Sequence, residues 1–263
     1  MFEYSHYKHK SRVASENFLV SVIMTCVPFT QELPPTFLQG WHNRDLVTKM
    51  KYNKLGDTDL IVSKVGLGGC VVGGEYPDKG DLQEIMECVE TGIKSGINFI
   101  DTSPGYGNGM SEEVLGECLR RIPRLCYYIA TKCGRYNPDW PKTFDFTPER
   151  ITREFENSLK RLQLSSVDIL HVHDIKYCQS PSYIAKITLP AVVNIVQSGK
   201  ARFIGITGYP IEEFVKVLHQ TPIKVNAILS YCRNTLIDCK LKVKENLVLP
   251  SITRILVGVH SLL

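Results

Sequence analysis

The chain has 263 residues, of which 43% are hydrophobic and 22% are charged, and its formal net charge is +4. This length and balance are typical of a soluble globular protein with one large domain or two small ones. The charge is weak, and no window combines clustered Lys and Arg with interleaved aromatic residues, which argues against a nucleic-acid partner. Nine cysteines without CxxC spacing indicate small buried residues in a reducing compartment, so a cytoplasmic location is expected.

Residues 1–50 differ from the rest of the chain. An apolar run over residues 18–29 follows three basic residues, as in a signal peptide, but acidic residues interrupt the basic lead. The run is too short to span a bilayer, and the prolines at 28, 34 and 35 exclude a long helix. We therefore predict a poorly ordered leader over residues 1–50, or an arm lying on the domain, and no membrane partner.

Helical and strand-like segments alternate from residue 52 onward. Residues 54–64 carry a Gly-Asp turn between apolar flanks, which predicts a hairpin. Helical apolar periods begin near residues 81, 147, 189 and 210. The strand-like runs lie at residues 65–71, 98–100, 127–131, 167–173, 203–207, 225–231 and 255–259. This alternation predicts a parallel sheet covered by helices.

The sequence has six consecutive strand–helix units. One half of a doubly wound fold usually contains fewer. An α/β fold of the (β/α)8 TIM-barrel type fits them better, although such barrels typically need roughly 250 residues. Residues 51–263 are fewer than that. We therefore predict one barrel domain over residues 51–263 that is truncated, with the barrel incomplete at its C-terminal end.

Four polar residues follow the predicted strands closely. Asp101 ends the second strand, Lys132 the third and His173 the fourth, and Tyr106 lies in the turn after the second strand. In a barrel all four point to the rim at the carboxyl ends of the strands. The sequence thus predicts one cluster of an acid, a lysine, a tyrosine and a histidine.

This combination suits the protonation of a carbonyl oxygen. The ordinary pKa of tyrosine, about 10, is too high for ready proton transfer near neutrality, and a neighbouring ammonium lowers it. Asp101 holds Lys132 charged, and His173 orients the substrate oxygen by a hydrogen bond. A hydride must then come from a cofactor, because no side chain supplies one.

Each residue also has a simpler interpretation. Asp101 and Tyr106 could belong to an ordinary surface turn, Lys132 could be a solvated rim charge, and His173 could be a hydrogen-bonded core histidine. His171 and His173 form a His-x-His pair, but no third ligand stands at suitable spacing, so no metal site is predicted.

The glycine-rich stretch over residues 66–74 suggests a dinucleotide-binding loop. Its spacing is not GxGxxG, and Glu75-Tyr76-Pro77 follows where a helix should begin. A Rossmann-type dehydrogenase is therefore disfavoured.

Five motifs together resemble the aldo-keto reductase family, in particular its L-galactose dehydrogenase-like branch. They are DTSPGYG at 101–107, ATKCGRY at 130–136, VDILHVHDI at 167–175, GKARFIGITG at 199–208 and ILSYC at 228–232. The resemblance implies a (β/α)8 barrel that uses NADP or NAD to interconvert carbonyls and alcohols. We expect a sugar or small aldehyde as substrate, and a monomer.

The resemblance also implies roles for individual residues. Tyr106 matches the general acid/base, Lys132 and Asp101 its partners, and His173 the histidine that orients the substrate. The implied cofactor-binding residues are Thr207 at the nicotinamide carboxamide, Tyr231 (or instead Asn234) stacked on the nicotinamide ring, and Gly258 and Ser261 in the last motif.

The match fails after residue 238 and returns at residues 250–261, which resemble the last barrel strand of the family. By this resemblance we expect the seventh strand and its helix to be missing or rewritten as residues 239–249, and the helix that binds the adenosine of the cofactor to be missing. This gap suggests an alternative, a catalytically silent truncated barrel with weak or no cofactor binding. Because unpaired strand edges are costly, residues 241–249 or 255–259 are expected to pair with residues 225–231.

Overall fold

The computed structural model describes residues 22–24, 27–28, 33–73, 81–136, 142–231 and 255–258. Eleven strands lie in these segments: β1 (Val22–Met24), β2 (Val27–Pro28), β3 (Tyr52–Lys54), β4 (Ile61–Ser63), β5 (Leu67–Gly68), β6 (Phe99–Asp101), β7 (Tyr128–Cys133), β8 (Val167–Val172), β9 (Ala201–Gly208), β10 (Ala227–Tyr231) and β11 (Ile255–Gly258).

The helices lie between the strands. They are α1 (Arg44–Val47), α2 (Leu82–Lys94), α3 (Met110–Leu119), α4 (Pro148–Leu162), α5 (Pro181–Tyr183), α6 (Leu189–Gln197) and α7 (Ile211–Leu218), with a π-helical turn at Ile184–Thr188 between α5 and α6. Short 3-10 turns occupy Tyr106–Gly109, Arg124–Cys126 and Ile175–Tyr177. In the described part of the chain, no helix is long and apolar enough to cross a membrane.

The main sheet has eight strands in the order β1-β11-β10-β9-β8-β7-β6-β5. Every pairing from β5 to β11 is parallel, and β1 runs antiparallel to β11. Among the described strands, β1 and β5 are not paired with each other, so the barrel is not closed by hydrogen bonds there. The predicted α/β barrel of the TIM type, incomplete at its C-terminal end, is confirmed.

Strand β10 pairs directly with β11, and the two strands are parallel. Their register runs from Ile228 opposite Ile255 to Tyr231 opposite Gly258. This confirms the expected pairing of residues 255–259 with residues 225–231. Residues 239–249 lie outside the described residues.

A small second sheet closes the amino-terminal end of the barrel. It has the order β2-β3-β4, and its β3–β4 part is the predicted hairpin. Leu55, Leu60 and Val62 of the hairpin pack against Phe99 and Tyr128, the first residues of β6 and β7. The hairpin therefore acts as a floor to the barrel interior.

Part of the predicted leader contacts the domain. Val47 is fully buried beside Tyr52 and Ile61, and the side-chain amide of Asn98 donates to the hydroxyl of Thr36 at 2.8 Å. Residues 1–21 lie outside the described segments. The division of the chain at residue 50 stays a prediction.

Helix α4 shows why these segments fold as the sequence indicates. Pro148 at its first turn needs no hydrogen-bond partner for its nitrogen and presets the helical φ angle. Its apolar positions recur every three or four residues and are all buried: Ile151, Phe155, Leu159 and Leu162. That face packs the helix into the main hydrophobic core beside the sheet.

Candidate active site

The four predicted catalytic residues lie at the carboxyl ends of three neighbouring parallel strands. Asp101 is the last residue of β6, Lys132 lies near the end of β7, and His173 directly follows β8. Tyr106 opens the 3-10 turn after β6. The carboxyl ends of parallel strands share one edge of the sheet, and the structure brings all four side chains together there.

The ammonium of Lys132 is the centre of the cluster. It donates to Asp101 Oδ2 at 2.6 Å, to the Thr102 carbonyl at 2.9 Å and to the Tyr106 hydroxyl at 3.1 Å. An ammonium has three N–H groups, so all of them are used. Lys132 is only 1% exposed, which excludes the simpler interpretation of a solvated rim charge.

The environment keeps this lysine protonated. Burial acts to lower the pKa of Lys132, but the Asp101 carboxylate and the Tyr106 hydroxyl outweigh burial and raise that pKa above its ordinary value. Lys132 is therefore a fixed positive charge next to the phenol.

Tyr106 is a buried phenol. Burial raises its pKa to about 12, although the Lys132 ammonium acts to lower it. The sequence predicted a lowered pKa for Tyr106. The shift is in the opposite direction because burial destabilises the phenolate more than the single ammonium stabilises it. Since Lys132 donates to the Tyr106 oxygen, the hydroxyl proton of Tyr106 is directed to another acceptor.

His173 lies beside Tyr106. The two rings are perpendicular, with their centroids 6.0 Å apart. The backbone N–H of His173 donates to the Cys133 carbonyl at 2.7 Å, and its Nδ1 lies 3.2 Å from Ser103 Oγ. These contacts fix the imidazole next to the phenol.

Two neighbouring residues were missed in the sequence. Ser103 holds His173 as described, and Asp174 accepts a hydrogen bond from Arg135 Nη1 at 3.1 Å. Asp174 adopts a left-handed backbone conformation (φ 55°), and its N–H donates to Thr207 Oγ1 at 3.0 Å. Ser103 lies in the motif DTSPGYG and Asp174 in HVHDI. Their positions next to the predicted catalytic residues could have indicated that they belong to the site.

His171 belongs to the barrel interior. It is fully buried opposite Lys132 in the β7–β8 pairing, and neither ring nitrogen has a hydrogen-bond partner among the described residues. Burial, together with the Lys132 charge, lowers the pKa of His171 to about 3. The ring lies against Gly205, where any side chain would overlap Nδ1.

The predicted cofactor-binding residues lie on the adjacent strands. Thr207 is buried near the carboxyl end of β9, and Tyr231 ends β10 directly opposite Gly258 of β11. Ser261 and Asn234 lie outside the described residues. Within the described segments, no group of three or more His, Cys, Asp or Glu residues is arranged to hold a metal ion.

The fold and this cluster define an incomplete α/β barrel with an acid, a lysine, a tyrosine and a histidine gathered at the carboxyl ends of its strands. The sequence model of the aldo/keto reductase family matches residues 64–233, and the chain belongs to this family.

Curated relatives agree with this assignment. The chain is 43% identical to L-galactose dehydrogenase of Arabidopsis thaliana over 198 residues, which are 74% of the chain and 60% of the relative. It is 36% identical to the NADH-specific methylglyoxal reductase of Escherichia coli over 171 residues, or 59% of the chain and 51% of that protein. The chain thus spans between half and two thirds of the length of these relatives.

Solved structures are similar as well. An aldo-keto reductase from Pseudomonas aeruginosa has a TM-score of 0.63 and 27% identity, covering 78% of this chain and 77% of that one. The holo form of an aldo-keto reductase from Bacillus halodurans has a TM-score of 0.59 and 25% identity, covering 69% and 57%.

Proposed function

We propose that this chain is an NAD(P)-dependent oxidoreductase that interconverts a carbonyl and an alcohol on a sugar or small aldehyde, with Tyr106 as general acid/base. The observation that carries the proposal is the buried Lys132 ammonium, 2.6 Å from Asp101 Oδ2 and 3.1 Å from the Tyr106 hydroxyl. A structural ion pair has no need of a phenol within hydrogen-bond distance of its cation.

The protein's residues divide the proton chemistry between them. In the reductive direction Tyr106 gives its hydroxyl proton to the carbonyl oxygen and becomes a phenolate. Lys132 stabilises that phenolate by charge and by its existing hydrogen bond, and Asp101 keeps Lys132 protonated. His173 donates to the same carbonyl oxygen and orients it. In the oxidative direction the phenolate takes the proton back.

The donor set fits a nicotinamide cofactor, because a carbonyl that is protonated at oxygen must accept a hydride at carbon. Bound NAD(P)H would supply that hydride. Thr207, Tyr231, Gly258 and Ser261 are the residues proposed to hold it, with Asn234 as the alternative to Tyr231. The Thr207 oxygen accepts from the Asp174 N–H and keeps its own proton for donation.

The names of the relatives support the substrate class. They include a dehydrogenase of L-galactose, a reductase of methylglyoxal and, at 29% identity, the D-arabinose 1-dehydrogenase of Saccharomyces cerevisiae. A small hydroxylated carbonyl compound is therefore the proposed substrate, acted on in the cytoplasm by a monomer.

The test is kinetic. Purified protein is incubated with NADH or NADPH and methylglyoxal, or with NAD or NADP and an aldose, and cofactor absorbance is followed. Tyr106→Phe should abolish turnover by at least about a hundredfold while cofactor affinity is kept. Tyr127→Phe is the matched control, because Tyr127 is a buried tyrosine just before the amino end of β7 and should keep normal turnover.

A cofactor titration tests the catalytically silent alternative. Saturable quenching of protein fluorescence by NADPH or NADH, together with turnover that depends on Tyr106, supports the enzyme. Absence of both would leave the silent barrel as the better description.

A further inference from the structure

A short segment after β5 crosses the turn that carries Tyr106. We call residues 69–73 the strap. The Gly69 N–H donates to the Asp101 carbonyl at 2.7 Å, and the Gly69 carbonyl accepts from Ser111 Oγ at 2.6 Å. The strap is thus attached to the strand end before Tyr106 and to the first turn of α3 after it.

A pair of buried hydroxyl groups connects the strap to Lys132. Thr102 Oγ1 and Ser111 Oγ lie 2.7 Å apart, and both residues are fully buried. The carbonyl of the same Thr102 accepts one of the three hydrogen bonds of Lys132 at 2.9 Å. A change at this pair therefore reaches the ammonium through a single residue.

At its other end the strap touches the Tyr106 turn, backbone against backbone. A side chain on Gly73 would place its first carbon 2.9 Å from the Tyr106 carbonyl carbon and 3.0 Å from the Gly107 nitrogen. Gly107 has a φ of 57°, and a side chain there would overlap the Gly73 carbonyl oxygen. Only glycine permits this approach on both sides.

We propose that the strap and the Thr102–Ser111 hydroxyl pair are positioning elements that fix the Tyr106 hydroxyl against the Lys132 ammonium. They act through Tyr106 and Lys132 and not on the substrate. The proposal rests on the proposed function of Tyr106 as general acid/base.

Two variants displace the turn from opposite ends. Gly73→Ala forces the Tyr106 backbone to move, because the added carbon would lie 2.9 Å from the Tyr106 carbonyl carbon. Thr102→Val removes one hydroxyl at nearly constant volume. Since a misplacement of about 1 Å costs about a hundredfold in rate, each variant should lower kcat by about tenfold. KM for the carbonyl substrate and Kd for NAD(P)H should change by less than about threefold, and the pH profile of kcat should shift.

Conservative variants separate positioning from general damage. Thr102→Ser keeps the hydroxyl and should restore most of kcat. Gly92→Ala is the matched glycine control, because its added carbon would lie 3.6 Å or more from its neighbours, an ordinary contact. It should leave kcat unchanged.

A kcat of Gly73→Ala and Thr102→Val within twofold of the unmodified enzyme, in folded protein, would overturn the proposal. So would a loss that appears only in the melting temperature.

Crystal structures of the same variants provide a readout that needs no activity. The distance from Lys132 Nζ to the Tyr106 hydroxyl, 3.1 Å here, is expected to exceed hydrogen-bond range in Thr102→Val and to be kept in Thr102→Ser. An unchanged distance in Thr102→Val refutes the positioning role. If the unmodified protein shows no turnover that depends on Tyr106, the proposed function fails, and the distances still decide the positioning role.

Discussion

At the scale of single residues, Lys132 is a buried positive charge whose hydrogen bonds are all to the protein. Its ammonium and the Asp101 carboxylate form a nearly water-free pair, so removal of one partner leaves the other charge uncompensated. We expect Lys132→Met to lower the free energy of unfolding by about 3–5 kcal/mol, measured by urea denaturation. Adding Asp101→Asn should recover part of the loss, because the stranded carboxylate disappears.

The exposed Lys216–Glu213 pair is the control for this experiment. Its two partners lie 2.6 Å apart, but the lysine side chain is 56% exposed. Lys216→Met should therefore cost less than about 1 kcal/mol. Equal costs at Lys132 and Lys216 would show that Lys132 is not held by its charge.

His171 predicts an acid-sensitive fold. Burial, with the Lys132 charge, lowers its pKa to about 3, whereas the unfolded chain binds the proton near pH 6.5. The stability from neutral His171 is complete above pH 6.5 and is lost as pH falls toward 3, by up to about 1.4 kcal/mol per pH unit. Chemical denaturation between pH 7 and 4 should show a flatter pH dependence for His171→Leu than for the unmodified protein. Identical slopes for His171→Leu and the unmodified protein would refute the prediction.

At the scale of elements, α4 ends on a residue in an unfavourable conformation. Gln163 caps the helix in the left-handed region at φ 56°, which glycine adopts without strain. Gln163→Gly should raise the free energy of unfolding by up to about 1 kcal/mol. Glu87→Gly, at an exposed position in the interior of α2, should lower it by about 1 kcal/mol. Thermal melts of both variants check the opposite signs, and a loss of stability at both positions would contradict the cap argument.

The helices and strands were predictable where a local pattern sets them. The stripe of α4 and the apolar run of β8 are read directly from neighbouring residues, and the strand ends then place Lys132 and His173 on one rim. The antiparallel pairing of β1 with β11 was not predictable, because the two strands lie near opposite ends of the sequence and no local pattern connects them. The sign of the Tyr106 shift was also missed, since the degree of burial of a phenol depends on packing that one sequence does not reveal.

At the scale of the whole molecule, the end of the barrel opposite the site is held together by charge. The buried Asp168 carboxylate accepts from Arg124 at 2.7 Å, from Arg202 at 2.8 Å and from the Ile129 N–H at 2.9 Å. Arg202 also pairs with Asp59 of the hairpin, which ties the floor to β8 and β9.

We expect Asp168→Ala to lower the free energy of unfolding by about 3 kcal/mol, because several charge-assisted hydrogen bonds are lost and the Ile129 N–H is left unpaired. The kcat of the folded protein should be unchanged, because Asp168 lies near the amino end of β8 and His173 follows its carboxyl end. Asp59→Ala, at an exposed carboxylate, is the milder control. A fall in kcat for Asp168→Ala that exceeds its unfolded fraction would contradict this separation.

The hairpin floor, with its arginine–carboxylate ion pairs, lies at the end of the barrel opposite the proposed active site. The ties of Asp168 and Arg202 join the hairpin to β8 and β9 at one end, and the loops that follow the strands leave from the other. Exposed positions of the loops at that end, such as Lys176 and Tyr177, can be changed without touching the charge ties at the opposite end. Changes confined to the loops at the active-site end could direct the proposed chemistry to other carbonyl compounds, while the opposite end of the barrel stays the same.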